Sequence, residues 1–309
     1  MQNNLQTTGS EKSIPGTSLK TDHKTIQQIQ PLDAEHSIGA ILVKAGKLGI
    51  DKTDSIIRRQ QLKKVRFGEA AIQLGLLKEE DVRFALARQY HYPYLLQGDG
   101  AASNELVAAY QPFSSQVEVL RALRSQLMLR WFNAPERKTL ALISPDSGEG
   151  RSYLAANLAI MFSQLGKRTL LIDADMRHPR QHSLFNLQNQ TGLSSILSIR
   201  SDASSIQQVP SFINLSLLSA GPTPPNPQEL LGHPLFSSLL AYTSNKFDVV
   251  LVDTPPAIEY ADAATIATHC SGALIVTRQD KTRLYETRQM IEGLTQLGVP
   301  MVGAVLNRF

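Results

Sequence analysis

Asp173, Asp175 and Asp253 are the side chains best placed to do chemistry. Asp173 and Asp175 close the run "LLIDADMR", and Asp253 closes "VVLVDTPP", so both segments set carboxylates after buried-type aliphatic residues. Such positions lie where open α/β sheets bind ligands, beyond the C-terminal ends of the strands. A third segment, "LALISPDSGEGRSYLAANLA" (Leu140–Ala159), runs from an apolar stretch through a small-residue loop into a helical pattern. In that loop Ser147, Gly148, Glu149 and Gly150 can wrap backbone N–H groups around phosphate oxygens. The helix start, with Arg151, Ser152 and Tyr153, adds further N–H groups and its positive dipole end.

The loop departs from the common pattern at two places. Pro145 stands where a first glycine is usual, and Arg151 stands where a lysine is usual. Arginine keeps the charge but is larger, planar and forked. The expectation is that Arg151 bridges the β- and γ-phosphates of ATP. Mg²⁺ is held by few carboxylates together with phosphates and waters. Ser152, Asp173 and Asp253 are the expected metal residues, and Asp175, two positions after Asp173, can face the same strand end. Each segment alone has a plain structural reading, as a strand–helix turn or a helix-capping acidic loop. All three in this order, each after a strand, predict a P-loop nucleotide site.

These residues need a sheet to position them. Apolar runs at 139–144, 168–173, 214–220, 247–253, 272–277 and 300–307 are predicted strands. Helices are predicted at 118–132, 151–165, 227–243, 262–269 and 282–297. Near-continuous aliphatic strands alternating with helices predict an α/β fold, a doubly wound, mostly parallel sheet of the P-loop NTPase kind. Upstream lies an internal repeat. "SIGAILVKAGKLGIDKTDSIIRRQ" recurs as "RFGEAAIQLGLLKEEDVRFALARQ", with Gly39, Gly46, Leu48, Arg59 and Gln60 matched by Gly68, Gly75, Leu77, Arg88 and Gln89. Each copy reads as helix, glycine turn, helix; pairing two copies buries faces that one cannot. The organisation expected is a disordered arm (1–34), a helical module (35–96), a linker (97–117) and the nucleotide domain (118–309).

Bulk properties narrow the partners. Lys and Arg number 31 against 27 Asp and Glu, a formal charge of +4, which does not suggest a nucleic-acid polymer as ligand. The single Cys270 fits a reducing compartment. No apolar run reaches the ~20 residues of a membrane span, and the N-terminus has no apolar signal region, so the protein is expected to be cytoplasmic. The histidines His91, His178, His182, His233 and His269 show no metal-ligand spacing among themselves.

The motifs resemble the bacterial tyrosine kinases of exopolysaccharide and capsule biosynthesis. "LLIDADMR" matches their second motif, hhhDxDxR, and "VLVDTPP" their third, hhhDxxP. Glu118, Arg121 and Arg124 match the ExxRxxR helix implicated in that family in ring-like self-association. Together with "PPNPQELL" and "GAVLNRF", these segments are similar to the EpsG-type branch, the chain length determinant protein tyrosine kinases. The resemblance implies ATP and Mg²⁺ as ligands, and Arg151, Asp173 and Asp175 as catalytic residues, with Asp175 helping to bind metal or orient the acceptor hydroxyl. It implies homo-oligomerisation, and a membrane chain-length-determinant partner that brings the protein to the inner membrane. It also implies regulation of polysaccharide chain length, polymerisation and export. The repeat module resembles the N-terminal domain of type II secretion and pilus-extension ATPases, some of which bind cyclic di-GMP through motifs of this spacing. Copy one carries Ser37 where an arginine is expected, so a docking module is the first reading and cyclic di-GMP the second.

Three functional readings follow. In the first the protein is a kinase; its last tyrosine, Tyr285, lies in a predicted helix, so the acceptor is expected to be an internal tyrosine or another substrate rather than a C-terminal tyrosine cluster. In the second it binds ATP without useful transfer and acts as a nucleotide-dependent assembly part. A partitioning or division-site ATPase ranks last, because "SPDSGEG" lacks the early signature lysine of that group. Tyr90, Tyr92 and Tyr94 are read as packing at the edge of the module.

Overall fold

A computed structural model describes residues 37–89, 95 and 102–308. The arm at 1–34 and Tyr90, Tyr92 and Tyr94 lie outside the described residues. The chain divides into two compact units with the boundary between Ala85 and Leu86.

The first unit contains the repeat. Copy one forms α1 (Ile38–Lys44) and α2 (Ile50–Lys63), and copy two forms α3 (Phe67–Gln73) and α4 (Glu79–Gln89), the last running through the boundary. The equivalent glycines make equivalent turns, with φ of +68° at Gly46 and +66° at Gly75. Ser37 caps α1, its Oγ accepting from the Ala40 N–H at 3.2 Å. Asp81 caps α4 by accepting from the Lys78 N–H at 3.0 Å, and accepts from Lys47 Nζ at 2.6 Å, joining the copies. The other repeated glycines mark close approaches. A Cβ at Gly39 would lie 3.2 Å from the tip of the Phe67 ring, whereas one at Gly68 would lie 2.5 Å from Val82 Cγ1.

The second unit begins with α5 (Val107–Tyr110) and α6 (Ser115–Arg130). Then come β1 (Thr139–Ile143), α7 (Arg151–Gln164), β2 (Thr169–Asp173), α8 (Gln181–Leu184) and α9 (Leu193–Leu197). They are followed by β3 (Gln207–Gln208), β4 (Leu215–Leu218), α10 (Pro227–Leu231), α11 (Pro234–Lys246) and β5 (Val249–Asp253). The chain continues through α12 (Asp262–His269), β6 (Gly272–Arg278), α13 (Leu284–Gln296) and β7 (Met301–Asn307). The seven strands form one sheet in the order β3-β4-β2-β5-β1-β6-β7, parallel throughout except for β3 against β4.

Both faces of the central strands are covered, as their aliphatic runs require. Leu140 and Leu142 of β1 join Val249 and Leu251 of β5 in one core layer, with Leu154, Leu158 and Phe162 of α7. Their neighbours Ala141, Ile143, Val250 and Val252 enter the opposite layer with Phe236 of α11 and Ile266 of α12. Strand residues alternate between faces with period two, so one apolar run supplies both cores.

Three features differ from the sequence expectation. The segment read as helix 227–243 is two helices, because Pro234 starts α11 and has no N–H to continue α10. The two-residue β3 is too short to leave a periodic signal. The described part of the stretch read as a linker is packed: Leu106, Ala108 and Ala109 are fully buried. Asn157 of α7 holds it by accepting from the Ala108 N–H at 2.9 Å and donating to Glu105 O at 3.1 Å. Gly, Ser and Pro composition suggested a tether, but burial of this short apolar run decides its placement.

The glycine contacts yield a prediction for the first unit. Gly68→Ala should weaken hydrogen-exchange protection of α3 and α4, because Val82 is β-branched and cannot swing away; overpacking of this kind costs about 1–3 kcal/mol. Gly39→Ala should cost less, since the Phe67 ring can tilt. An equal or larger loss at Gly39 would contradict this packing.

Candidate nucleotide site

β1 delivers the loop Ser144–Gly150 to the start of α7. Gly148 and Gly150 have φ of +66° and +90°, conformations that cost glycine nothing sterically, and Gly150 is the residue that opens α7. The loop is braced by the β6–α13 connection and the end of β7. Carbonyl oxygens of Ser147, Gly148 and Glu149 accept from Lys281 Nζ, from Arg278 at 3.1 Å and from Asn307 Nδ2 at 2.8 Å. The Glu149 side chain is buried; it accepts from the Asp146 N–H at 2.9 Å and from the Thr282 hydroxyl. Its carboxylate therefore shapes the loop. With its carbonyls engaged, the loop can offer amide N–H groups to an anion.

Beneath the loop the carboxylates converge. Asp173 and Asp253 are paired in register at the ends of β2 and β5, and both are fully buried. Asp173 Oδ2 accepts from the Arg180 and Gln181 N–H groups at 3.0 and 2.9 Å. Gln181 Nε2 donates to Asp253 Oδ2 at 2.7 Å and to Ser152 O at 3.0 Å, and the Ser152 side chain also hydrogen-bonds Asp253. Asp175 Oδ1 accepts from the Arg177 and His178 N–H groups at 3.2 and 2.9 Å.

Arg151 lies among them with its side chain only 7% exposed. Its Nη2 is 3.8 Å from Asp175 Oδ2, its Nε is 3.6 Å from Asp253 Oδ1, and Nη1 donates to Ser144 Oγ. The expected phosphate cation is thus also the counter-charge of the strand-end carboxylates. Burial raises the Asp173 pKa well above the usual carboxylate range, and the neighbouring Asp253 charge adds to it. Burial also raises Asp253, opposed first by Arg151 and then by the Gln181 and Ser152 hydrogen bonds.

The residues fit a bound magnesium–nucleotide. Asp173 Oδ1, Asp253 Oδ1 and Arg151 Nε are buried and without hydrogen-bond partners, an arrangement that is costly unless a ligand completes it. No group of three or more His, Cys, Asp or Glu among the described residues could hold a metal unaided. Mg²⁺ takes one or two carboxylates and draws its other ligands from phosphates and water, a demand the Asp173 and Asp253 pair can meet. Above them opens a cleft of about 470 Å³, lined by Ser147 to Ser152, Asp175, His178, Arg180, Pro256 and Glu259.

Most of the predicted residues meet here; some do not. The Tyr153 side chain is absent from the cleft lining, its hydroxyl accepting instead from Gln116 Nε2 at 2.8 Å. Arg177 pairs with Asp262 at 2.8 Å and lies 3.9 Å over the Tyr260 ring. The Glu118, Arg121 and Arg124 set is engaged within its own chain: Arg121 pairs with Glu118 and donates to Pro112 O, and Arg124 donates to Met161 O at 3.2 Å. Gln181 and Arg180 escaped the sequence reading. They follow Pro179 in "HPRQHSLF", and no spacing rule marks a polar loop residue that bridges two strand ends.

Fold and site together define a P-loop NTPase. Residues 136–308 match a family model described as ParA, NUBPL iron-transfer P-loop NTPase. The chain is 34% identical to tyrosine-protein kinase YwqD of Bacillus subtilis over 202 residues, 65% of this chain and 85% of that protein. It is 35% identical to tyrosine-protein kinase Wzc of Salmonella typhi over 204 residues, but these make up only 28% of Wzc. Among solved structures, the chimerical protein CapA2B2 aligns with a TM-score of 0.63 at 32% identity, covering 75% of this chain and 99% of that one. The kinase domain of Escherichia coli tyrosine kinase Etk aligns with the same TM-score at 31% identity, covering 66% and 79%. The chain belongs to the bacterial tyrosine kinase family. No helix among the described residues is long and apolar enough to cross a membrane.

A pH prediction follows from Asp173. Its folded pKa lies above its unfolded value of about 4, so its contribution to stability is full below that value and is lost as pH rises through the folded pKa. Asp173→Asn keeps an acceptor for the two N–H groups and removes the charge. Without ligand, the variant should melt above wild type, by a margin that widens from pH 4 towards neutrality. A margin independent of pH would refute the assignment.

Proposed function

We propose that the chain binds Mg–ATP at this cleft and transfers the γ-phosphoryl group to a tyrosine hydroxyl. The observation that carries the reading is the pair of buried oxygens without hydrogen-bond partners, Asp173 Oδ1 and Asp253 Oδ1, beside the buried Arg151 under a glycine loop. In the transfer, the bond from Pγ to the β,γ-bridging oxygen breaks and a tyrosyl O–Pγ bond forms. Such transfer is catalysed mainly by positioning and charge neutralisation. Bound Mg²⁺ would supply neutralisation between the phosphates. Ser152, Asp173 and Asp253 would hold it, and the loop amides from Ser147 to Tyr153 would hold phosphate oxygens. Asp175 would orient the acceptor hydroxyl and take its proton, and Arg151 would turn from Asp175 and Asp253 towards the phosphates.

The kinase would work with a membrane chain-length-determinant protein in exopolysaccharide synthesis, as the tyrosine kinases it resembles suggest. That partner would bring it to the inner membrane, and Glu118, Arg121 and Arg124 would support self-association once released from their intrachain bonds. The repeat module would serve as a docking unit, with cyclic di-GMP as a second candidate for its ligand.

A second reading, ATP binding without transfer, has an observation in its favour. Among the described residues, those lining the cleft include no tyrosine, the acceptor that transfer requires. Incubating purified protein with labelled ATP and Mg²⁺, with and without the membrane partner, then mapping phosphosites, separates the two. The kinase reading predicts tyrosine labelling that Asp173→Ala abolishes. Arg151→Ala should weaken ATP binding strongly, at least about tenfold if a charge-assisted contact is lost, and Arg151→Lys should weaken it less. Tight ATP binding with no phosphotyrosine in either condition would favour the assembly reading.

A further inference from the structure

The cleft holds little accessible positive charge for a polyphosphate. Arg151 is buried among carboxylates, Arg177 is engaged by Asp262 and Tyr260, and Lys281 and Arg278 are bound to loop carbonyls. Arg180 is the other guanidinium among the described residues that line the cleft. Its backbone N–H donates to Asp173 Oδ2 at 3.0 Å, which fixes its Cα beside the end of β2. Its side chain is drawn aside to Glu105, with Nη2 at 2.6 and 2.7 Å from the two carboxylate oxygens.

Glu105 is firmly placed to do this. Its backbone O accepts from Asn157 Nδ2 at 3.1 Å, and its N–H donates to Ser103 Oγ at 3.3 Å. The Ser103 N–H in turn donates to Leu184 O at 2.8 Å, tying the segment to α8 just beyond Arg180. The pair is nevertheless weak as a fastening. The Arg180 and Glu105 side chains are 48% and 44% exposed, and ion pairs exposed to this degree contribute little. A nucleotide's phosphates offer several anionic oxygens in the geometry a guanidinium fork prefers, next to a site already rich in hydrogen-bond donors.

We propose that Arg180 is a phosphate-binding residue of this site, held on Glu105 until a nucleoside polyphosphate draws it into the cleft. The inference rests on the nucleotide reading above. Glu105 is then a competitor of the ligand, and its removal acts oppositely to removal of Arg180. A purely structural ion pair would give losses of the same sign from either side.

The test is calorimetric titration of the full chain with Mg–ATP, comparing wild type with Arg180→Ala, Arg180→Lys, Glu105→Gln and the double variant Arg180→Ala/Glu105→Gln. Arg180→Ala should weaken binding about tenfold, the loss of one charge-assisted contact, and Arg180→Lys should retain part of it. Glu105→Gln should tighten binding a few-fold, and the double variant should behave as Arg180→Ala alone. Glu105→Gln keeps the backbone bonds that place the segment, so it remains a folded test. Weaker binding in Glu105→Gln, or unchanged binding in Arg180→Ala, overturns the proposal while leaving the nucleotide site standing. Absence of Mg–ATP binding in wild type overturns the nucleotide reading and this inference with it.

Discussion

Three aspartates, two of them fully buried and the third nearly so, share a strand-end site with one buried guanidinium. Removing such charges from water is costly, and attraction repays it only when the remaining polar atoms are satisfied. Much of the surrounding structure answers this constraint. Gln181 and the backbone of the Asp175–Gln181 connection donate to the carboxylates, and Ser144 and Ser152 bond Arg151 and Asp253. The oxygens left without a hydrogen bond, Asp173 Oδ1 and Asp253 Oδ1, are those that a cation could complete.

The sheet makes that concentration possible. Parallel pairing of β2 with β5 sets Asp173 directly beside Asp253, and pairing of β5 with β1 brings the glycine loop over them. In an antiparallel sheet the ends of neighbouring strands would point in opposite directions. The loop is in turn braced from β6 and β7 through Arg278, Lys281, Thr282 and Asn307. A change at that side of the sheet therefore alters the shape of the loop without touching the strand-end aspartates.

Legibility in the sequence followed the range of the interactions. Strands, the glycine loop and the aspartates were readable because each is a local pattern: an aliphatic run, a small-residue turn, a charge after a strand. The repeat glycines Gly46 and Gly75 were readable because their spacing is constant and the turn demands positive φ. Partnerships between distant residues were not. Gln181 meets Asp253 across 72 positions, Arg177 meets Asp262 across 85, and Arg180 meets Glu105 across 75. Arg177 shows the same limit: it sits two positions after Asp175 in sequence, yet it is held by Asp262 and Tyr260. The break at Pro234 did carry a local signal, the absent N–H of proline, which the long apolar periodicity around it outweighed.

The central claim is that the strand-end carboxylates and Arg151 form a joint site for Mg²⁺ and nucleotide, rather than a self-sufficient buried ion cluster. Thermal unfolding with Mg²⁺ alone, ATP alone and both together tests it most directly. Because neither ligand can complete the site by itself, the account predicts a large rise in melting temperature only with both present, lost in Asp253→Asn. Equal melting temperatures in all three conditions would contradict it.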